Sequence, residues 1–178
     1  MHAILTKCML LVLFALIILN FTHVVYFNIF THSLPYGVYV KTRGIPQIDN
    51  YAASCLTSPI VKYGINRGYI ASGDCATGSV LVLKLIKGVP GNLFKVKNGF
   101  LELNGFSYYI MDKDSAGRRL DVFYKKKEAV LEKGQYILLS NFVPNSWDSR
   151  YWGPVSIQFL LKPLWIFENV KNPQISHP

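Results

Sequence analysis

Between Cys8 and Leu19 the chain runs for twelve residues without one polar side chain, and such a segment cannot present a surface to water. Asn20, Thr22 and His23 then dilute it before Val24, Val25, Tyr26, Phe27, Ile29 and Phe30. The first part has the length of a signal-peptide core, about 7 to 15 residues, but no small-x-small cleavage site follows it. A helix from Cys8 to about Phe27 spans the roughly 30 Å of bilayer hydrocarbon at about 1.5 Å per residue. It sets Asn20 and His23 toward the outer end and Tyr26, Phe27 and Phe30 at the interface. The absence of any polar face weakens the alternative of a buried helix within a soluble domain. We therefore expect an uncleaved anchor within residues 1–30 and an exported domain over 31–178. Lys7 and the amino terminus are the firm positive charges before the anchor, which keeps that end in the cytoplasm.

The remaining length suits one domain. Charged residues make up 16% of the chain and hydrophobic ones 51%, too apolar a balance for disorder. The net charge of +9 is spread from Lys7 to Lys171, with Lys125-Lys126-Lys127 the one cluster. That is no nucleic-acid footprint, and attraction to an anionic membrane surface is its more natural use. Tyr36–Lys41, Val80–Ile86, Gly99–Asn104, Tyr108–Met111 and Tyr136–Ser140 are rich in β-branched, aromatic or leucine residues, with Gly, Pro, Asn or Asp between them. Phe100 to Asn104 alternates and ends in Asn104-Gly105, a tight hairpin turn. No long stretch has a helical period, so the exported part is mainly β. Lys113 to Lys133 is read as a surface loop or small insertion, and Asn169–Pro178 as a frayed tail.

Export gives the cysteines meaning. Cys8 lies in the apolar segment, while Cys55 and Cys75 fall where oxidation is possible. A Cys55–Cys75 disulfide is expected, worth about 3 kcal/mol in the chain-entropy model. Two separate buried thiols are the alternative.

The chemistry-bearing segment is Asn145-Ser146-Trp147-Asp148-Ser149-Arg150-Tyr151-Trp152-Gly153. A hydroxyl nucleophile needs a group to take its proton, commonly histidine. The four histidines are poorly placed: His2 is cytoplasmic, His23 lies in the anchor, His177 in the tail, and His32 neighbours Ser33 and so points to the other side of an extended chain. A lysine serves instead when burial lowers its pKa. Lys84, within Ser79-Val80-Leu81-Val82-Leu83-Lys84-Leu85-Ile86, meets that need. An edge-strand lysine that discourages aggregation fits the same position, and Lys87 competes for the role.

Three segments in order resemble the type I signal peptidase family of Ser/Lys peptidases. They are Ser33-Leu34-Pro35 after a membrane helix, Lys84 with Gly88-Val89-Pro90-Gly91 following, and Asn145 to Gly153. Ser-x-Pro-x-Gly-x-Tyr at Ser33–Tyr39, one residue tighter than the housekeeping form, is similar to the conjugative-transfer, TraF-like branch that matures pilin. The two cysteines and Gly153-Pro154-Val155 also suit that branch. The resemblance implies a signal-peptidase-like β-rich catalytic domain. Position by position, it implies Ser33 as nucleophile and Lys84 as general base. It places Thr31 at the oxyanion hole with a backbone N–H, Ser146 as the hydroxyl that orients the lysine, and Asp148 with Arg150 as a brace. The chain departs from the housekeeping pattern at Ser140 to Pro144, at Asn92, where the family has an aspartate, and at Lys84-Leu85, where it has Lys-Arg. These differences bear on lysine tuning and substrate choice.

Each of these residues also has a structural reading. Trp147, Tyr151 and Trp152 suit packing, Asp148 and Arg150 two apart on a strand suit an ion pair, and Gly88, Pro90 and Gly91 suit a turn. The expected protein is an endopeptidase of the bacterial inner membrane with a periplasmic site facing the bilayer, acting on an exported precursor, foremost a pilin. Hydrolysis and cyclisation stay open. A general signal peptidase and a non-catalytic anchored assembly protein of a secretion or pilus machine are the alternatives. Expected partners are the precursor, the lipid bilayer and components of a conjugation or type IV secretion apparatus; no nucleic acid, metal or cofactor is expected.

Overall fold

The computed structural model describes residues 2–21, 24–29 and 31–167. A helix, α1 (His2–Phe21), comes first. Then follow β1 (Val25–Asn28), β2 (Gly37–Thr42), β3 (Tyr51–Ser54), α2 (Ser58–Arg67), β4 (Val82–Gly88), β5 (Leu93–Lys97), β6 (Phe100–Leu103), β7 (Phe106–Tyr109), β8 (Glu128–Val130), β9 (Ile137–Leu139), α3 (Ser149–Trp152) and β10 (Phe159–Ile166). The strands form two antiparallel sheets, one of six in the order β1-β2-β10-β3-β4-β9 and one of four in the order β7-β6-β5-β8. The expected β-rich domain is present, and the five extended segments correspond to β2, β4, β6, β7 and β9. Asn104 and Gly105 both take positive φ, 52° and 81°, and turn β6 into β7 as their pairing foretold.

β4 explains its own aliphatic sequence. Val82 and Ile86 pack into the main core with Ala52, Leu138, Tyr151 and Trp152, while Leu85 joins a smaller core with Leu34, Tyr39, Ala53 and Leu161. A strand buried on both faces has no room for a polar alternation. The smaller core seats Leu34, the residue after Ser33, and so ties that loop to the six-stranded sheet.

The N-terminal segment departs from expectation. The helix covers His2–Phe21 rather than Cys8 to Phe27. Tyr26 and Phe27 are not interfacial residues of a helix but lie in β1, opposite Tyr39 and Val38 of β2. The run Val24-Val25-Tyr26-Phe27 has strong strand preference, and β2 offers it a ladder of backbone partners. Among the described residues no helix is long and apolar enough to cross a membrane, with the side chains of 2, 3, 16 and 19–21 outside the description; the single-pass anchor is thus not shown. His23, Phe30 and the tail Asn169–Pro178 also lie outside the described residues.

β3, β5, α3, α2, β10 and β8 also escaped the sequence pattern, and for the last three the reason is visible. In α2 the helix opens at Thr57-Ser58-Pro59 with proline in its first turn and closes on Gly68 at φ 73°. Its buried face is only Ile60, Val61 and Gly64, too short a stripe to stand out. In β10, Pro163 argues against a strand; it sits where β3 pairing has already ended, at a shift of register against β2. Within the polar Lys113–Lys133 stretch, β8 pairs with β5, and Leu120 and Phe123 pack on the main core.

Candidate active site

Ser33 lies between β1 and β2, half-buried next to a buried Leu34. Lys84 lies mid-β4 on the other side of β10 and β3 in the sheet order. Its partner on β3 is Ala52, fully buried, whose methyl leaves room for a lysine stem. Lys84 is 6% exposed, and its Nζ donates a hydrogen bond to Ser33 Oγ. The fold therefore joins two residues 51 apart in sequence. Burial lowers the Lys84 pKa from 10.5 to about 8; Asp148 opposes that shift and Arg150 adds to it. An amine with this value is neutral in a useful fraction near neutral pH and accepts a proton from a hydroxyl beside it.

Asp148 and Arg150 form the expected ion pair, though not from a strand. Asp148 caps α3, accepting from the Arg150 backbone N–H at 3.1 Å. The guanidinium donates to the same carboxylate from Nε at 2.9 Å and Nη2 at 3.0 Å. Its remaining donors reach carbonyls of Tyr109 at 3.1 Å, Pro144 at 2.7 Å and Ser146 at 2.8 Å. Burial works against its charge, yet the Asp148 field and hydrogen bonds hold the guanidinium above its ordinary pKa. Asp148 has no exposed surface and Arg150 almost none, so the pair is a fully bonded internal brace.

The other expected site residues stand differently. The Ser146 hydroxyl is buried without a hydrogen-bond partner and does not reach Lys84 in this conformation. The Thr31 hydroxyl donates to Asn28 Oδ1 at 2.8 Å, so its single proton is committed there. Lys87 is paired with Asp49 instead. His32 shares its ring nitrogens with the Tyr36 hydroxyl, at 2.9 and 3.1 Å. Cys55 and Cys75 are joined by a disulfide, Cα atoms 5.7 Å apart. Tyr151 and Trp152 fill the main core and Trp147 packs against it, as expected for aromatics. Sequence reasoning missed Asn28 and Ser140. Asn28 Nδ2 faces the carbonyls of Thr31, Leu34 and Pro35, and Ser140 Oγ donates to the Ser33 carbonyl at 2.8 Å. The only signal for Asn28 is one amide inside an aromatic run; Ser140 carries none. Two open concavities of about 560 Å³ lie on the four-stranded sheet and include neither Ser33 nor Lys84. An extended peptide laid along a strand edge needs no enclosed cavity.

The family model for signal peptidase, peptidase S26, matches residues 2–161. The chain belongs to that family. Membership makes it a relative of serine peptidases, with protein as the substrate class and an association with membranes as the family's setting. Two Escherichia coli proteins, each named plasmid transfer protein TraF, are similar to it. One is 26% identical over 130 residues, which is 71% of this chain and 73% of that protein. The other is 25% identical over 141 residues, 75% and 79% of the two chains.

Proposed function

We propose that this signal peptidase family member is a membrane-anchored serine endopeptidase that matures an exported precursor, foremost a pilin, for conjugative transfer. The observation that carries the reading is a buried lysine amine on a serine hydroxyl. Neutral Lys84 takes the Ser33 proton as Oγ bonds to the scissile carbonyl carbon. The resulting ammonium returns that proton to the leaving amine as the peptide C–N bond breaks. Water, or a peptide amine if the product is cyclised, then attacks the Ser33 ester and gives up a proton to Lys84, and Ser33 regains its own. The backbone N–H of Ser33 and the Thr31 hydroxyl, once turned from Asn28, are assigned to the developing oxyanion. The Asp148–Arg150 brace sets the charge that Lys84 meets.

Substrate class follows from the family, and the conjugation context from the two similar proteins named for plasmid transfer. Anchoring is supported by α1, whose described apolar side chains from Ile4 to Ile18 are exposed throughout; a bilayer covers such a surface. The remainder, Thr31 onward, is assigned to the periplasm. The test is pulse-labelled precursor in cells carrying Ser33→Ala, Lys84→Ala or Lys87→Ala. Precursor accumulates with the first two and is processed with the third. Normal maturation in both Ser33→Ala and Lys84→Ala cells would sink the assignment and favour an assembly role. Mass spectrometry of the product termini separates a linear from a cyclic product, and resistance of the chain to alkaline carbonate extraction reports the anchor.

A further inference from the structure

The segment 31–36 pairs with no strand, yet the carbonyls of Thr31, Ser33, Leu34 and Pro35 are held. From one side Asn28, 4% exposed at the end of β1, places Nδ2 at 3.0 Å from the Thr31 carbonyl, 2.9 Å from Leu34 and 3.0 Å from Pro35. The Tyr39 hydroxyl adds a bond to the Pro35 carbonyl at 2.7 Å. From the other side Ser140, just past β9, donates its hydroxyl to the Ser33 carbonyl at 2.8 Å. The same oxygen accepts from the Phe142 N–H at 3.1 Å, and the Ser140 N–H donates to Asp148 Oδ2 at 3.2 Å. Neither Asn28 nor Ser140 bonds to the Ser33 hydroxyl or the Lys84 amine.

We propose that Asn28 and Ser140 are positioning residues that clamp the Ser33 loop from its two sides and keep the Ser33 hydroxyl on Lys84 during acylation. The inference rests on Ser33 being the nucleophile. A serine hydroxyl goes where its backbone points it. The Ser33 carbonyl is the group that fixes rotation about its Cα–C bond, and Ser140 bonds to it. Asn28 holds carbonyls further out on both sides, those of Thr31, Leu34 and Pro35. Released, these carbonyls would turn to water, and the loop would spend part of its time in geometries that separate Oγ from Nζ. Misplacement by about 1 Å costs on the order of a hundredfold in rate. Because the Ser140 amide is bonded to Asp148, the clamp also joins the nucleophile loop to the ion pair near Lys84.

The test uses the full chain in lipid vesicles and a penem acylating probe, with acylation followed from pH 6 to 10. Ser140→Ala is expected to lower the limiting acylation rate about tenfold, the scale of one lost hydrogen bond, with probe affinity and the pH midpoint unchanged. Amide hydrogen exchange in residues 31–37 quickens by a similar factor. Asn28→Ala removes more bonds and lowers the rate further; Ser140→Ala, which loses a single hydroxyl, carries the test if Asn28→Ala does not fold. Wild-type acylation and exchange in Ser140→Ala overturn the clamp. A loss expressed only as a moved pH midpoint also overturns it, by assigning Ser140 to tuning Lys84 through Asp148. If the wild-type chain takes no label while loop exchange still responds to Ser140→Ala, the nucleophile reading falls, and the catalytic purpose of the clamp with it.

Discussion

Lys84 concentrates the conflict between stability and chemistry in one side chain. Its pKa is lowered by burial to about 8, so the folded protein binds this proton less tightly than the unfolded chain. Below pH 8 both states hold the proton and the folded state bears the whole penalty; from pH 8 to 10.5 the penalty fades as the folded amine deprotonates first. Lys84→Met is therefore expected to abolish processing while raising stability at pH 7 by about 3 kcal/mol, a gain that shrinks above pH 8 in denaturant titrations. The rate constant for acylation of the wild-type chain is expected to climb with pH and level off above about 8, because only the neutral amine accepts the Ser33 proton. Asp148→Asn leaves the Arg150 charge buried without its partner, and unfolding by denaturant should register a loss of about 3 to 5 kcal/mol. Ser33 and Lys84 were picked out chiefly by motifs that resemble the signal peptidase family, since composition alone left Lys84 open between a buried base and an edge-strand lysine. Asn28 and Ser140 were not, since an amide or hydroxyl facing carbonyls is defined only by where the chain returns.

Elements were legible where one physical rule dominated. β2, β4, β6, β7 and β9 lie within two residues of segments picked out by side-chain type, and the Asn104-Gly105 turn required only its two backbone angles. α1 was misplaced because hydrophobicity marks what is apolar, while the change from helix to strand near Val24 depends on β2 being available to pair with β1. α2 was overlooked because its stripe is three residues long, and its middle is shaped by a neighbour: a Cβ on Gly64 would stand 2.6 Å from the Trp147 ring. Gly64→Ala gains about 1 kcal/mol of helix propensity but overpacks a rigid ring, which costs about 1 to 3 kcal/mol. The net expectation is a lower denaturant midpoint, and an unchanged or higher one would show that Trp147 yields.

At the scale of the whole molecule, the disulfide closes the segment that carries α2, joining Cys55 just after β3 to Cys75 ahead of β4. Replacing Cys55 and Cys75 together with serine should cost about 3 kcal/mol, read as a lower unfolding midpoint under oxidising conditions and as no change when the wild type is reduced first. The β-rich class and the cysteine pairing were readable from residue types and the expected export, whereas the division into two sheets and the order of strands were not, because β10 reaches the middle of the six-stranded sheet from the far end of the sequence. One feature of that sheet reaches beyond the protein. β1 begins four residues after α1 ends, at Val25, and Asn28 at its far end holds the Ser33 loop. With α1 in a bilayer as proposed, enzyme and substrate meet in two dimensions, and the concentration that matters is molecules per lipid rather than per litre. Diluting both with inert lipid at constant protein should then slow maturation, although nothing in the bulk solution has changed.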